Sequence, residues 1–86
     1  MSAPMPHFVY IVRCRDGSLY TGYAKDPAAR LEKHNSGKGA KYTAGRRPVM
    51  LVFTQKFRSL SRALKREHEL KQWTRSQKEA LVSAAR

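Results

Sequence analysis

Residues 8–23 read FVYIVRCRDGSLYTGY, and the way this stretch pairs with itself decides the rest of the fold. Phe8 to Val12 is an unbroken aromatic and β-branched run, a composition that suits a strand. Arg15-Asp16-Gly17-Ser18 follows as a turn, with Gly17 able to take the positive φ that a tight reversal needs. Leu19-Tyr20-Thr21-Gly22-Tyr23 then returns as a second, antiparallel strand. A two-residue turn at Asp16-Gly17 would set Tyr10 opposite Tyr23 and Tyr20 opposite Arg13, and strand alternation would send Tyr10 and Tyr20 to opposite faces. A three-residue loop with Gly17 as a bulge shifts the pairing by one and brings both phenols to one face.

Working outward, Asp26-Pro27 is a helix start: Asp26 can cap free amides, and proline suits the first helical position. The helix is expected to run to about Asn35 and to stop at Gly37, a natural left-handed terminator. A loop leads to Pro48, and VMLVF at 49–53 reads as a third strand. Ser59 or Ser61 opens a second helix carrying Leu60, Ala63, Leu64, Leu70 and Trp73. Thr74-Arg75-Ser76-Gln77 has the capping-box pattern and opens a last helix with Ala80, Leu81 and Ala84. The order β-β-α-β-α-α predicts a small α+β domain over 7–86, a three-stranded antiparallel sheet flanked by helices, preceded by a loose tail at 1–6.

The 86 residues carry 18 Lys+Arg against 6 Asp+Glu, a formal net charge of +12. Such a field attracts polyanions, and nucleic acid is the default partner. A membrane surface would require a strongly apolar helix face or a lipid anchor, and the sequence offers neither. Nothing approaches a transmembrane span, and MSAPMPHF lacks the core of a signal peptide. Cys14 is the only cysteine, which excludes an internal disulfide and makes a reducing cytoplasm the simplest location. The charge is uneven: no acid lies between Glu32 and Glu67, while Lys33 to Arg66 supplies ten Lys or Arg.

Within that basic stretch, HNSGKGAKYTAGR at 34–46 looks built for phosphate. A nucleotide P-loop needs G-x-x-x-x-G-K-[ST] between a strand and a helix. Here Glu32 stands five residues before Gly37, Gly39 follows Lys38 where a hydroxyl is required, and the segment comes after a helix and before a strand. No nucleotide cofactor is therefore expected. What remains is a glycine-relaxed loop whose Lys38, Lys41, Arg46 and Arg47 can neutralise phosphates along a nucleic-acid strand, with Tyr42 and Thr43 as further contacts.

Two further signals lie on the helices. Leu60, Ala63, Leu64 and Leu70 set an apolar stripe on the second helix, and Glu67 occupies a position inside it. An inward carboxylate is costly unless it meets a cation. Three readings stand: an ion pair with Arg30 or another arginine, a place at the helix rim, or a ligand for a hard divalent cation whose other positions are mostly water. Arg30 and His34, four apart, share a face of the first helix.

Taken together, the arrangement resembles the GIY-YIG nuclease family, in particular its small stand-alone bacterial members. The first signature triplet stands as Phe8-Val9-Tyr10 and the second as Tyr20-Thr21-Gly22. Arg30 and His34 follow, then Glu67 within A-x-x-x-E-x-x-L-K, and DGSLYTG, HNSGKGAKYT and the later RRP look like the stand-alone subgroup. The resemblance covers about residues 7–82. It implies metal-dependent phosphodiester hydrolysis with Mg²⁺ or Mn²⁺: Tyr10 and Tyr20 beside the scissile phosphate and attacking water, Arg30 on a phosphate oxygen, His34 tuning or relaying a tyrosine proton, and Glu67 on the metal. It also implies the shifted hairpin register, since the two phenols must then share a face. A phenol has a reference pKa of about 10, and the cation-rich surroundings are expected to favour phenolate. Tyr10 is the expected activating phenol, with Tyr20 the alternative. The chain departs from the pattern in Phe8 and Val9, and in the asparagine that many members carry after the metal glutamate. Asn35 is the sole asparagine, so that role is empty or passes to Ser76 or Gln77.

The function expected is a metal-dependent endonuclease acting on DNA, with branched or damaged DNA suggested by family analogy and RNA left open. The alternatives are a binding module that keeps the fold without the chemistry, and a basic factor riding on RNA-rich assemblies. No appended recognition domain is seen, so tight sequence specificity is not expected.

Overall fold

The computed structural model describes residues 6–85; the expected tail, apart from Pro6, lies outside them. Strands β1 (His7–Arg13) and β2 (Leu19–Ala24) form the hairpin. The amide of Cys14 donates to the Ser18 carbonyl at 2.8 Å and that of Gly17 to the Cys14 carbonyl at 2.9 Å, leaving Arg15, Asp16 and Gly17 as a three-residue tip. Gly17 takes a φ of 87°, which a β-carbon would oppose. Asp16 stiffens the tip by accepting from the Ser18 amide and hydroxyl at 3.0 and 2.6 Å. The pairing is Tyr10 with Gly22 and Val12 with Tyr20, the shifted register, and both tyrosines face the same side.

After β2 come α1 (Pro27–Asn35), a single helical turn α2 (Lys41–Ala44), β3 (Met50–Phe57), α3 (Leu60–Lys71) and α4 (Arg75–Ala84). The turn α2 lies inside what reads as a loop; the order is otherwise as expected. All three strands are antiparallel, with β1 central in the order β2-β1-β3. Consecutive Val9, Tyr10, Ile11 and Val12 are all buried because helices cover both faces. Val9 and Ile11 pack with Ala63, Leu70 and Val82 from α3 and α4. Tyr10, Val12 and Cys14 pack with Ala24, Val49 and Leu31 on the α1 side.

The expected caps are in place. Asp26 accepts from the Ala29 amide at 3.1 Å, Ser59 from that of Arg62 at 3.3 Å, and Thr74 and Gln77 form the reciprocal capping box. Gly37, with a φ of 86°, ends α1. Two expectations need correction. Strand β3 continues to Phe57 rather than ending at Phe53, because Thr54, Gln55 and Lys56 stay paired with β1; their polarity suits an edge strand. On α3 the buried positions are Ala63 and Leu70, while Leu60 and Leu64 remain 46% and 42% exposed. The helix axis is rotated so that its core line misses the two leucines.

Candidate functional site

The site forms where α1 crosses the sheet face that carries the tyrosines. Tyr10, Tyr20, Arg30, Lys33, His34 and Lys38 line an open cavity of about 260 Å³, with Gly39 and Ala40 also in its wall. Alternation along β1 and β2 aims the two tyrosines; the helical repeat aims Arg30, Lys33 and His34 at them. The tyrosine ring at 10 lies across Gly22, its cross-strand partner. A β-carbon there would overlap the phenol oxygen and ring carbons, so the last residue of the second triplet leaves room for the last residue of the first.

A buried chain of hydrogen bonds runs inward from Tyr10. Its phenol oxygen lies 2.8 Å from His34 Nε2, and His34 Nδ1 lies 2.8 Å from Thr43 Oγ1. The Thr43 hydroxyl has one proton, which it donates to the Ala40 carbonyl at 2.9 Å. Thr43 Oγ1 must therefore accept from His34 Nδ1–H. In the neutral imidazole this leaves Nε2 bare, so Tyr10 donates to it. Thr43 was expected to touch phosphate; it is instead fully buried, its hydroxyl turned inward to orient His34.

The electrostatics differ from expectation at Tyr10. Burial, followed by the neighbouring Tyr20, pushes its phenol up to about 12; the Arg30 guanidinium pulls the other way and the Glu67 carboxylate adds to the rise. The phenol is held protonated because desolvation outweighs the cation. Burial, then the charges of Arg30 and Lys33, hold His34 below its ordinary imidazole value. A neutral acceptor thus sits beside a neutral donor, an arrangement suited to passing a proton rather than storing phenolate.

Glu67 approaches from α3. Its side chain is 19% exposed and its carboxylate lies 3.3 Å from Lys71 Nζ, one turn on. Of the three readings, the ion pair exists but with Lys71 rather than Arg30, and the position is at the helix rim. Among the described residues no group of three or more His, Cys, Asp or Glu is placed to hold a metal ion. A lone carboxylate fits a divalent cation held chiefly by water and by a substrate phosphate, the usual habit of Mg²⁺.

The basic loop divides. Lys38 lines the cavity, and none of Arg30, Lys33, Lys38, Lys41 or Arg47 forms an ion pair among the described residues. Arg47 faces a separate hollow of about 480 Å³ beside Arg15 and Pro48. Arg46 pairs with Asp16, Nε to Oδ2 at 3.1 Å, so its charge is partly neutralised. Tyr42 stacks on Tyr20, with ring centroids 5.7 Å apart. Asn35 binds the Val49 backbone twice, at 3.0 and 2.7 Å. Gln77 is engaged in its capping box. Lys33 and Gly22 stand out in the sequence only as part of the basic stretch and of the second triplet, not as residues of the site; the i, i+3, i+4 spacing of Arg30, Lys33 and His34 was a signal for the first.

A three-stranded antiparallel sheet presenting two tyrosines to a helical Arg and His, with a carboxylate on a later helix, is the arrangement that the resemblance to the GIY-YIG family implies. The GIY-YIG catalytic domain matches residues 6–80, and the chain belongs to the GIY-YIG family. Within it, the chain is 63% identical over 76 residues to a UPF0213 protein of Staphylococcus aureus, covering 88% of this chain and 93% of that protein. Two solution NMR structures share the fold. The UPF0213 protein BH0048 of Bacillus halodurans is 54% identical with a TM-score of 0.61, over 93% of this chain and 85% of that one. The protein EF2693 of E. faecalis is 46% identical with a TM-score of 0.64, over 98% and 90%. Membership in this family points to nuclease chemistry. Among the described residues no helix is long and apolar enough to cross a membrane.

Proposed function

We propose that this protein is a divalent-metal-dependent endonuclease that hydrolyses phosphodiester bonds in DNA, with Tyr10, Tyr20, Arg30 and His34 at the reacting phosphate and Glu67 holding the metal. The observation that carries the reading is the Tyr10–His34–Thr43 chain opening onto a cavity lined by Arg30, Lys33 and Lys38. A phosphodiester must be held, its developing charge stabilised, and a water relieved of a proton. Arg30, Lys33 and Lys38 hold the phosphate. As the water oxygen bonds to phosphorus, its proton passes to the Tyr10 oxygen while the phenolic proton moves to His34 Nε2. The bond to the leaving oxygen breaks, and that oxygen takes a proton from solvent water, leaving hydroxide that the proton held on His34 later neutralises by way of Tyr10. Bound at Glu67, a divalent cation supplies the Lewis-acid charge at the phosphate.

A second reading is a nucleic-acid-binding module without catalysis, favoured by the Glu67–Lys71 ion pair, in which the lysine competes with a metal for that carboxylate. The test incubates purified protein with branched, single-stranded and duplex DNA, with Mg²⁺, with Mn²⁺ and with chelator. Metal-dependent cleavage that is lost in Glu67→Ala while binding survives supports the enzyme. Tight binding with no cleavage by the parent protein establishes the module.

A further inference from the structure

The loop that reads as a phosphate grip contains one arginine whose surroundings suit a different task. Arg46 is pinned at several points: Nε to Asp16 at 3.1 Å, Nη1 to the Tyr42 carbonyl at 2.7 Å, and its own carbonyl to the Arg15 amide at 2.9 Å. Its guanidinium carbon is held 4.1 Å from the centroid of the Tyr42 ring. Asp16 partly neutralises its charge, so it is a poorer phosphate contact than the unpaired Lys33, Lys38 and Lys41. What it keeps is a flat, immobilised surface. The Arg46 side chain is 40% exposed and Tyr42 is 39% exposed.

That surface is continuous with the site. Tyr42 stacks on Tyr20, and Tyr20 meets the His34 ring edge-on with centroids 5.5 Å apart. Flat aromatic and guanidinium faces recognise nucleobases by stacking, irrespective of sequence. Inside a duplex each base face is covered by its neighbours; only an unpaired or terminal base has one to offer. From this geometry we infer that the outer face of the Arg46 guanidinium, backed by the Tyr42 ring, forms a stacking platform for an unpaired nucleobase next to the scissile phosphate, so that the substrate class is DNA with a single-stranded segment at the cut. This rests on the nuclease reading for the word scissile, but the platform itself is a statement about binding.

The test measures binding in chelator, where no cleavage occurs, by fluorescence anisotropy of a single-stranded oligonucleotide and of a blunt duplex of equal length at fixed salt. Tyr42→Ala and Arg46→Lys are each expected to weaken single-strand binding about tenfold while duplex binding changes less than about twofold. Tyr42→Phe is expected to bind as the parent does. Because Arg46→Lys keeps the charge and removes the plane, parent-like binding by that variant overturns the platform, as does equal loss on both DNAs. Unchanged binding by Tyr42→Ala, the outcome if the stack merely braces Tyr20, overturns it too. Should the variants prove unfolded by circular dichroism, 2-aminopurine in the single strand decides with the parent protein: quenching on binding supports stacking, and an unaltered signal overturns it. A parent protein that cuts nothing yet passes these binding tests fails the nuclease reading alone.

Discussion

The Tyr10 phenol and His34 Nε2 lie 2.8 Å apart although twenty-four residues separate them in the chain. One sits on the central strand, the other on the helix that crosses it, and Thr43 fixes which nitrogen faces which. The pair links a proton donor with its pKa near 12 to an acceptor held below the ordinary imidazole range. Both states are set by burial before any other cause.

Activity is expected to rise with pH through the depressed pKa of His34 and to level off above about 6.5, the unperturbed imidazole value. Protonated His34 cannot take the Tyr10 proton, whereas the neutral form can; Tyr10 itself does not titrate in this range. A cleavage rate that falls between about pH 6 and 8 contradicts the assignment.

Stability follows the same group. The unfolded chain protonates His34 at about 6.5 and the folded chain only at lower pH, so the unfolded state binds the extra proton first. The full stability is present above about 6.5 and is lost as pH falls through the folded pKa. Urea unfolding midpoints at pH values on either side of this window should differ, and the difference should shrink in His34→Gln.

Thr43→Val removes the acceptor for His34 Nδ1–H and leaves a buried donor unmatched, at a cost of about 1–3 kcal/mol. The imidazole proton is then free to move to Nε2, facing Tyr10. We expect a lower kcat with little change in KM, and a changed ¹⁵N tautomer signature for His34 by NMR. Thr43→Ser should restore both; a Val variant with the parent tautomer refutes the positioning role.

Gly22→Ala places a methyl group against the Tyr10 phenol. Overpacking of this kind costs about 1–3 kcal/mol, and a displacement of the phenol by about an ångström lowers the rate about 100-fold. Thermal melting and cleavage kinetics measure the two effects separately. Parent-like kinetics would place Tyr10 outside the reaction.

Asn35→Ala removes both hydrogen bonds to Val49 and should lower stability by about 1–2 kcal/mol, since these bonds hold the return of the basic loop into β3. Asn35→Asp keeps the acceptor for the Val49 amide and loses the donor to its carbonyl, so its melting temperature should fall between those of parent and alanine variant.

Much of this was legible in the residues because it depends on local chemistry. The caps at Asp26, Ser59 and Thr74 are written in the side chains that make them, and the shifted hairpin register follows once Gly17 is read as a bulge. Burial was less legible. Leu60 and Leu64 fit the apolar repeat of α3 as well as Ala63 and Leu70 do, and the rotation about the helix axis that leaves them exposed is set by distant packing. Thr43 looked like a surface hydroxyl because nothing in a loop sequence shows that α2 turns inward beneath His34. The expected phenolate at Tyr10 failed for the same reason: composition shows how many cations are near, whereas desolvation depends on how deeply the phenol lies.

The hydrogen-bond chain beneath Tyr10 ends at the Ala40 carbonyl, an oxygen that cannot carry a proton onward. On the proposed chemistry, His34 is therefore a reservoir with a single opening rather than a wire to solvent. A proton received from Tyr10 must return by the same route before another cycle begins. The enzyme would then have two resting forms, charged and discharged, and the interval between cuts would include the time His34 needs to empty.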